Sequence, residues 1–153
     1  MADHSQYLQL SGHGDARARF HLAIPVADLA AAEHFYGIVL GCGRGRSASH
    51  WIDWNLAGHQ VVTHVVDGWV GVAGTNPVDG NDVPVPHFGV LVSPASFHEF
   101  VERLQHHQVD FVIEPTIRFE GEVGEQHTMF FLDPSGNALE FKAFADDTQV
   151  FAI

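Results

Sequence analysis

The chain has 153 residues, which suits one domain or two small modules that share a core. It carries 7 Lys and Arg residues against 19 Asp and Glu residues, a formal net charge of −12. A surface this acidic repels phosphate backbones and anionic lipids, so we expect neither a nucleic-acid partner nor a membrane partner.

Three further features bound the class of protein. The single cysteine, Cys42, excludes an intrachain disulfide framework and a multi-cysteine zinc site. No apolar run approaches the roughly 20 residues that a membrane span requires. The N-terminus Met1-Ala2-Asp3-His4-Ser5 lacks a basic segment followed by an apolar one. We therefore expect a cytoplasmic protein.

The first half of the chain predicts one strand, one helix and three more strands. A polar arm, residues 1–19, precedes a strand over residues 20–26. Asp28 is a typical helix N-cap, and apolar residues follow it at helical spacing until a glycine-rich turn at residues 41–43. Residues 44–56 can form two strands, and a turn at 57–58 leads into another at 60–65.

The second half repeats this order after a stretch rich in glycine and proline, residues 67–85, which predicts a linker loop. A strand (87–92) precedes a helix whose apolar residues end at 104. Further strands are expected at 110–113, 128–132 and 138–144, with a charged loop at 114–125 and a turn at 133–136.

The order β-α-β-β-β therefore occurs twice, which predicts an α+β fold of two tandem βαβββ modules. Gly58 and Gly136, in equivalent turns, are 78 residues apart, and the flanking strands then align without gaps. The expected divisions are an arm (1–19), a first module (20–66), a linker (67–85), a second module (86–145) and a tail (146–153).

Three segments carry a resemblance to a known family: residues 20–28, residues 86–90, and residues 131–141 with the turn Asp133-Pro134-Ser135-Gly136. Paired modules with a histidine at the start of each first strand resemble the vicinal-oxygen-chelate superfamily of glyoxalases, bleomycin resistance proteins and extradiol dioxygenases. The resemblance implies a curved-sheet cleft with one divalent metal at its centre, a small-molecule substrate, and a homodimer that sometimes pairs modules across chains.

The resemblance also implies the metal ligands, which fall on His21, His87 and Glu140. The fourth position falls on Val62, 78 residues before Glu140, and valine does not bind metals. Two imidazoles and one carboxylate suit Fe(II), Zn, Ni, Co or Mn and leave coordination positions open. Open positions favour a substrate with two adjacent oxygens together with dioxygen, so Fe(II) and a dioxygenase-like oxidoreductase are the leading hypothesis.

Two other functions stay open at this point. A lyase, isomerase, epimerase or thiol transferase of the same superfamily would use a similar ligand set without redox chemistry. A metal-free protein that binds and sequesters a toxic small molecule would belong to the bleomycin-resistance branch. The metal content of the purified protein separates these hypotheses.

Hairpin register extends the expected site. If Asp133 and Gly136 close a tight turn, Met129 faces Glu140, and His127 faces Lys142 on the same side of the sheet. His127 would then be the leading acid–base candidate, and Met129 would contact the substrate.

The same register in the first module sets Trp51 opposite Val62 and puts His64 on the face of Val62. His64 is then a second acid–base candidate, and Trp51, Phe131 and Phe144 are expected to form the walls of the substrate pocket. Arg118 lies in the charged loop 114–125, which is long enough to be a lid, and could clamp a substrate carboxylate.

Overall fold

The computed structural model describes residues 10–14 and 17–152. Much of the predicted arm, residues 1–9, 15 and 16, lies outside the described residues, as does residue 153 of the tail. The first unit contains these elements: β1 (His21–Val26), α1 (Leu29–Glu33), a π-helical segment (His34–Val39), β2 (Gly43–Ala48), β3 (Trp51–Leu56) and β4 (His59–Val65).

The second unit follows a β-hairpin that the sequence did not predict. Its elements and those of the hairpin are β5 (Thr75–Val78), β6 (Asn81–Pro84), β7 (His87–Phe88), α2 (Pro94–His106), β8 (Phe111–Arg118), β9 (Gln126–Leu132), β10 (Ala138–Phe144) and a short 3-10 helix (Asp147–Gln149). Asp79 and Gly80 form the hairpin turn with φ of 55° and 79°, the left-handed conformations that an Asp-Gly turn favours.

The two units have the same topology, which confirms the α+β fold with tandem βαβββ modules. One sheet has the order β1-β4-β3-β2 and the other has the order β7-β10-β9-β8. In each, the first strand pairs in parallel with the last one. The capping residues also match the expectation, since the Asp28 side chain accepts a hydrogen bond from the backbone N–H of Ala31.

One apolar core joins the helical sides of both sheets. Phe35 and Tyr36 of the π-helical segment pack in the same cluster as Phe97 of α2 and Phe131 of β9. The Tyr36 hydroxyl donates a buried hydrogen bond of 2.8 Å to Asp133 of the second unit. The helices therefore cover one face of each sheet; the opposite face of each is called the cleft face below.

Two expectations about the loops were wrong. The predicted linker, residues 67–85, contains the β5–β6 hairpin. The predicted lid loop, residues 114–125, is shorter, because β8 continues through Arg118.

No helix among residues 10–14 and 17–152 combines the length and apolar character needed to cross a membrane.

The predicted register of the β9–β10 hairpin was also wrong. The backbone N–H of Asp133 donates to the carbonyl of Asn137, so three residues lie between this bonded pair in the β9–β10 turn. In the equivalent β3–β4 turn of the first unit, only Ala57 and Gly58 lie between the paired residues Leu56 and His59. The longer turn is held by Asp133, whose carboxylate accepts bonds from the backbone N–H groups of Ser135 and Asn137. One extra residue inverts the faces of β9 relative to the expectation.

Candidate metal centre

Alternation along the strands defines the cleft face of the second unit. Glu140 of β10 pairs with Phe130 of β9, and Lys142 pairs with Thr128. Residues directly opposite each other in an antiparallel pair project from the same face. Leu139 and Phe141 lie in the helix-side core, so Glu140 and Lys142 project from the cleft face.

His87 and Glu140 form the centre of this face. The distance between His87 Nε2 and Glu140 Oε2 is 3.0 Å, and Glu140 is 5% exposed. His87 Nδ1 donates to the carbonyl oxygen of Pro84 at 2.6 Å, which leaves Nε2 directed at the carboxylate. The Thr128 hydroxyl donates to Glu140 Oε1 at 2.6 Å, and Lys142 Nζ lies 3.4 Å from Oε2.

These contacts shift both ionisations. The hydrogen bond with Glu140 raises the pKa of His87 despite its partial burial. Burial alone raises the pKa of Glu140, but hydrogen bonds from His87 and Thr128 and the charge of Lys142 together lower it. The pair therefore favours a cation, either a proton or a metal ion, between the imidazole and the carboxylate.

His21 occupies the equivalent position in the first unit but lies apart from this pair. Its Nδ1 donates to Gln60 Oε1 at 2.8 Å, and Gln60 is its register partner on β4. The described part of the chain holds no group of three or more His, Cys, Asp or Glu residues placed to bind one metal ion. One chain thus brings His87 and Glu140 together but does not bring His21 to them.

Strand register places Val62 at the position equivalent to Glu140. His87 pairs with Ala138, two residues before Glu140; His21 pairs with Gln60, two residues before Val62. Val62 is buried and apolar.

The residues present fit a divalent metal. Imidazole and carboxylate are the donors that Fe(II), Zn, Ni, Co and Mn accept. A metal-binding histidine usually donates its other ring N–H to a carbonyl or amide oxygen, which is how both His21 and His87 are held. The hydrogen bond from Thr128 orients Glu140 in the same way.

Three predicted site residues lie on the wrong side of the sheet because of the register change. His127 contacts the rings of Phe97 and His98 on α2. Met129 and Phe131 are fully buried in the helix-side core. None of the three shares the face of Glu140, so the prediction that His127 and Met129 lie beside the metal ligands on that face was wrong.

The first-unit register differs from the expected one by two residues, which leaves the faces unchanged. Trp51 pairs with His64 rather than Val62, and their rings are 6.5 Å apart. Trp51, His64 and Val62 share the cleft face with Gln60, as expected. Phe144 pairs with Gln126 and shares the face of Glu140.

Sequence reasoning missed Thr128 beside the pair; it placed Lys142 on the face of Glu140 but did not foresee its contact with that carboxylate. Thr128 and Lys142 are neighbours across β9 and β10 and both reach Glu140. The Asp-Pro-Ser-Gly-Asn segment held the relevant signal, because counting Asn137 in the turn puts Thr128 opposite Lys142. The bond between Gln60 and His21 was also not foreseen.

The fold and this donor set define a protein of paired βαβββ units with candidate metal ligands on the first strand of each unit. A model of the glyoxalase/bleomycin resistance protein/dioxygenase superfamily matches residues 19–141. The chain therefore belongs to that superfamily. That superfamily includes metalloenzymes, and its members bind small-molecule substrates and usually form dimers.

Solved structures agree with this assignment. A glyoxalase/bleomycin resistance protein/dioxygenase from Alicyclobacillus acidocaldarius is 33% identical, with a TM-score of 0.75 over 88% of this chain and 96% of that one. A fosfomycin resistance protein from Listeria monocytogenes (17%, TM-score 0.65, 92% and 98% covered) and a lactoylglutathione lyase from Agrobacterium tumefaciens (18%, 0.62, 89% and 97%) have the same fold. No curated protein matches the chain.

Proposed function

We propose that this chain is the subunit of a homodimeric, mononuclear metal-dependent enzyme of the dioxygenase type, acting on a small substrate with adjacent oxygens. One divalent metal, preferably Fe(II), is held by His21, His87 and Glu140. The observation that carries the proposal is the pair His87 Nε2 and Glu140 Oε2, 3.0 Å apart. Because His87 Nδ1 donates to Pro84, both facing atoms are electron-pair donors unless a proton lies between them.

The third ligand comes from the second subunit in this proposal. The Nδ1 of His21 donates to Gln60 as that of His87 donates to Pro84, so Nε2 is the ring atom that would bind the metal. The described residues of one chain contain no complete ligand set. Large apolar side chains near the first strands of both units, Phe20 and Leu91, are 63% and 52% exposed, which favours cover by a second copy.

The metal would bind the adjacent oxygens of the substrate and polarise them as a Lewis acid. The protein's own residues prepare that site. Thr128 fixes the Glu140 carboxylate, and Lys142 places a positive charge 3.4 Å from Glu140 Oε2. Val62 keeps the equivalent position of the first unit free of a fourth protein ligand. On the cleft face, His64 is the acid–base candidate that the fold retains, beside the aromatic wall of Trp51.

A non-redox lyase, isomerase or thiol transferase is the second candidate function. Lys142 favours it, since an ammonium group beside a metal ligand can deliver a proton to a developing enolate oxygen. The same donors accept Zn, Ni, Co or Mn.

Metal analysis of the purified protein tests the centre. We expect about one metal per chain in the wild type and in His106→Ala, an exposed control, and a loss in His87→Ala and Glu140→Gln. Iron leads to oxygen-uptake assays with catechols, and another metal leads to anaerobic lyase and transferase assays. Absence of metal after reloading contradicts the proposal and favours a metal-free binding protein.

Mixed dimers test whether the site spans two chains. His21→Ala and His87→Ala proteins are each expected to lose the metal. In a heterodimer of the two, one site combines both intact halves and the other combines both damaged ones. Subunit exchange should therefore restore about one metal per heterodimer, whereas sites within one chain would stay empty in every species.

A further inference from the structure

Arg118 lies on the same face as the metal ligands, in a cross-strand row of its own. It pairs with Gln126, and Gln126 pairs with Phe144, so these three side chains lie side by side. The adjacent row contains Thr128, whose hydroxyl reaches Glu140. Glu140 itself lies in the row beyond that one, four residues before Phe144 on β10, so about 14 Å of sheet separates the Arg118 row from the Glu140 row.

Arg118 and Gln126 are both largely buried side chains. The Arg118 side chain is 10% exposed and Gln126 is 8% exposed. Arg118 Nε and Gln126 Oε1 have no hydrogen-bond partner among residues 10–14 and 17–152. Leaving a buried guanidinium nitrogen and a buried amide oxygen unpaired is costly, and a ligand that pairs with both removes the cost.

The carboxylate of Asp79 is a weak counter-ion for Arg118. Asp79 Oδ2 lies 3.6 Å from Arg118 Nε, which is too far for a hydrogen bond, and its side chain is 49% exposed. Asp79 belongs to the turn of the β5–β6 hairpin. An oxyanion from a ligand would compete directly with this carboxylate for the guanidinium.

We propose that Arg118 and Gln126 form a subsite for the carboxylate of an organic acid whose apolar body lies against Phe144. Arg118 donates to the carboxylate, and Gln126 Oε1 accepts from a hydroxyl of the same ligand. Combined with the proposed function, on which this part rests, the substrate is an extended acid with its anionic group about 10 to 15 Å from the chelating oxygens.

A matched pair of probes tests the subsite without depending on the metal. Phenylacetate and the neutral phenylacetamide differ in charge and little in shape. Each is titrated into the full-length protein, as purified and after metal removal with EDTA, and followed by NMR of the backbone amides of residues 116–128. A carboxylate bound only through the metal would lose its binding on EDTA treatment, whereas binding at Arg118 persists.

We expect the wild-type protein to bind phenylacetate about 10-fold or more tightly than phenylacetamide, since a buried charge-assisted hydrogen bond contributes that much to affinity. Arg118→Gln should abolish the preference, and Arg44→Gln, a control whose arginine pairs with Glu33, should keep it. Asp79→Asn should increase it by removing the competing carboxylate. Misfolding would weaken the preference for phenylacetate, so a stronger preference in Asp79→Asn has to come from the lost carboxylate.

The proposal is overturned if EDTA-treated wild type shows no preference, or if Arg118→Gln retains it. Metal content measured on the same samples separates the two proposals. Loss of the preference with metal still bound refutes only the subsite. A retained preference in protein that never binds metal refutes only the metal centre.

Discussion

Gly89 is the position where one added methyl group would most directly disturb the metal centre. It lies beside β10, and a Cβ at this position would meet the carbonyl oxygen of Glu140 at 1.5 Å and its carbonyl carbon at 2.6 Å. Carbon–oxygen contacts settle near 3.3 Å, so Gly89→Ala requires a separation of roughly 1.8 Å between two backbones. Neither backbone can rotate away as a side chain would.

The expected result is a combined loss of stability and metal binding. Displacing Gly89 moves His87, two residues away, and breaks its 3.0 Å contact with Glu140. Overpacking costs about 1–3 kcal/mol, and a lost charge-assisted hydrogen bond costs a similar amount. We expect the free energy of unfolding to fall by about 3 kcal/mol and the urea midpoint by about 1 M or more.

Gly43→Ala is the matched control, because its Cβ would meet only the Asn55 Cβ at an ordinary 3.5 Å. Both variants are compared with wild type by urea unfolding of the metal-free protein and by metal titration. Wild-type stability and metal affinity in Gly89→Ala would refute the reasoning, since β7 would then not need to approach β10 so closely.

Three further predictions concern groups elsewhere in the fold. In metal-free protein the raised pKa of His87 stabilises the fold below about pH 6.5, and this stabilisation is lost as the pH rises through the folded-state pKa. The lowered pKa of Glu140 stabilises the fold above about pH 4.3, and this stabilisation is lost as the pH falls through the folded-state pKa. The unfolding free energy of wild type relative to His87→Gln should therefore peak between these values, and a flat difference would contradict the pair. Burial raises the pKa of Cys42 to about 11 from 9.0, so iodoacetamide should modify it about 100-fold more slowly than an unshifted thiol at pH 8; rapid labelling would contradict the burial. Tyr36→Phe should lower the free energy of unfolding by about 1–2 kcal/mol, because it removes a buried donor to Asp133. Urea unfolding should show a far smaller loss in an Asp133→Asn background if the two residues act through their hydrogen bond.

Local patterns in the sequence were enough for the architecture. The helix after Asp28 and the strands before and after each turn follow from periodicity and capping, which depend on residues a few positions apart. The repeat then predicted two modules with the same order of elements along the chain. It also placed Val62 and Glu140 at equivalent positions, which the parallel registers of β1 with β4 and β7 with β10 reproduce.

Local patterns were insufficient for the face of β9. The prediction treated residues 133–136 as the turn, but the Asp133 carboxylate binds the backbone of Ser135 and Asn137 and extends it. Asn137 is held in addition by a side-chain bond to the carbonyl of Pro25, in the other unit. A contact between units, invisible to local pattern, therefore fixes a turn length that decides whether His127 or Thr128 faces Glu140.

The sequence by itself determined the βαβββ repeat, the histidine at the start of each first strand and the missing fourth ligand, because each is a matter of residue type at a given spacing. Tertiary structure alone decided three other features: the pairing of His87 with Glu140, the separation of His21 from them, and the burial of Arg118 beside Gln126. The first two depend on how strands far apart in the sequence come together, and the third depends on how β8 and β9 pack within their sheet. The energies involved, those of unpaired buried charges and close backbone contacts, exist only once the chain is packed.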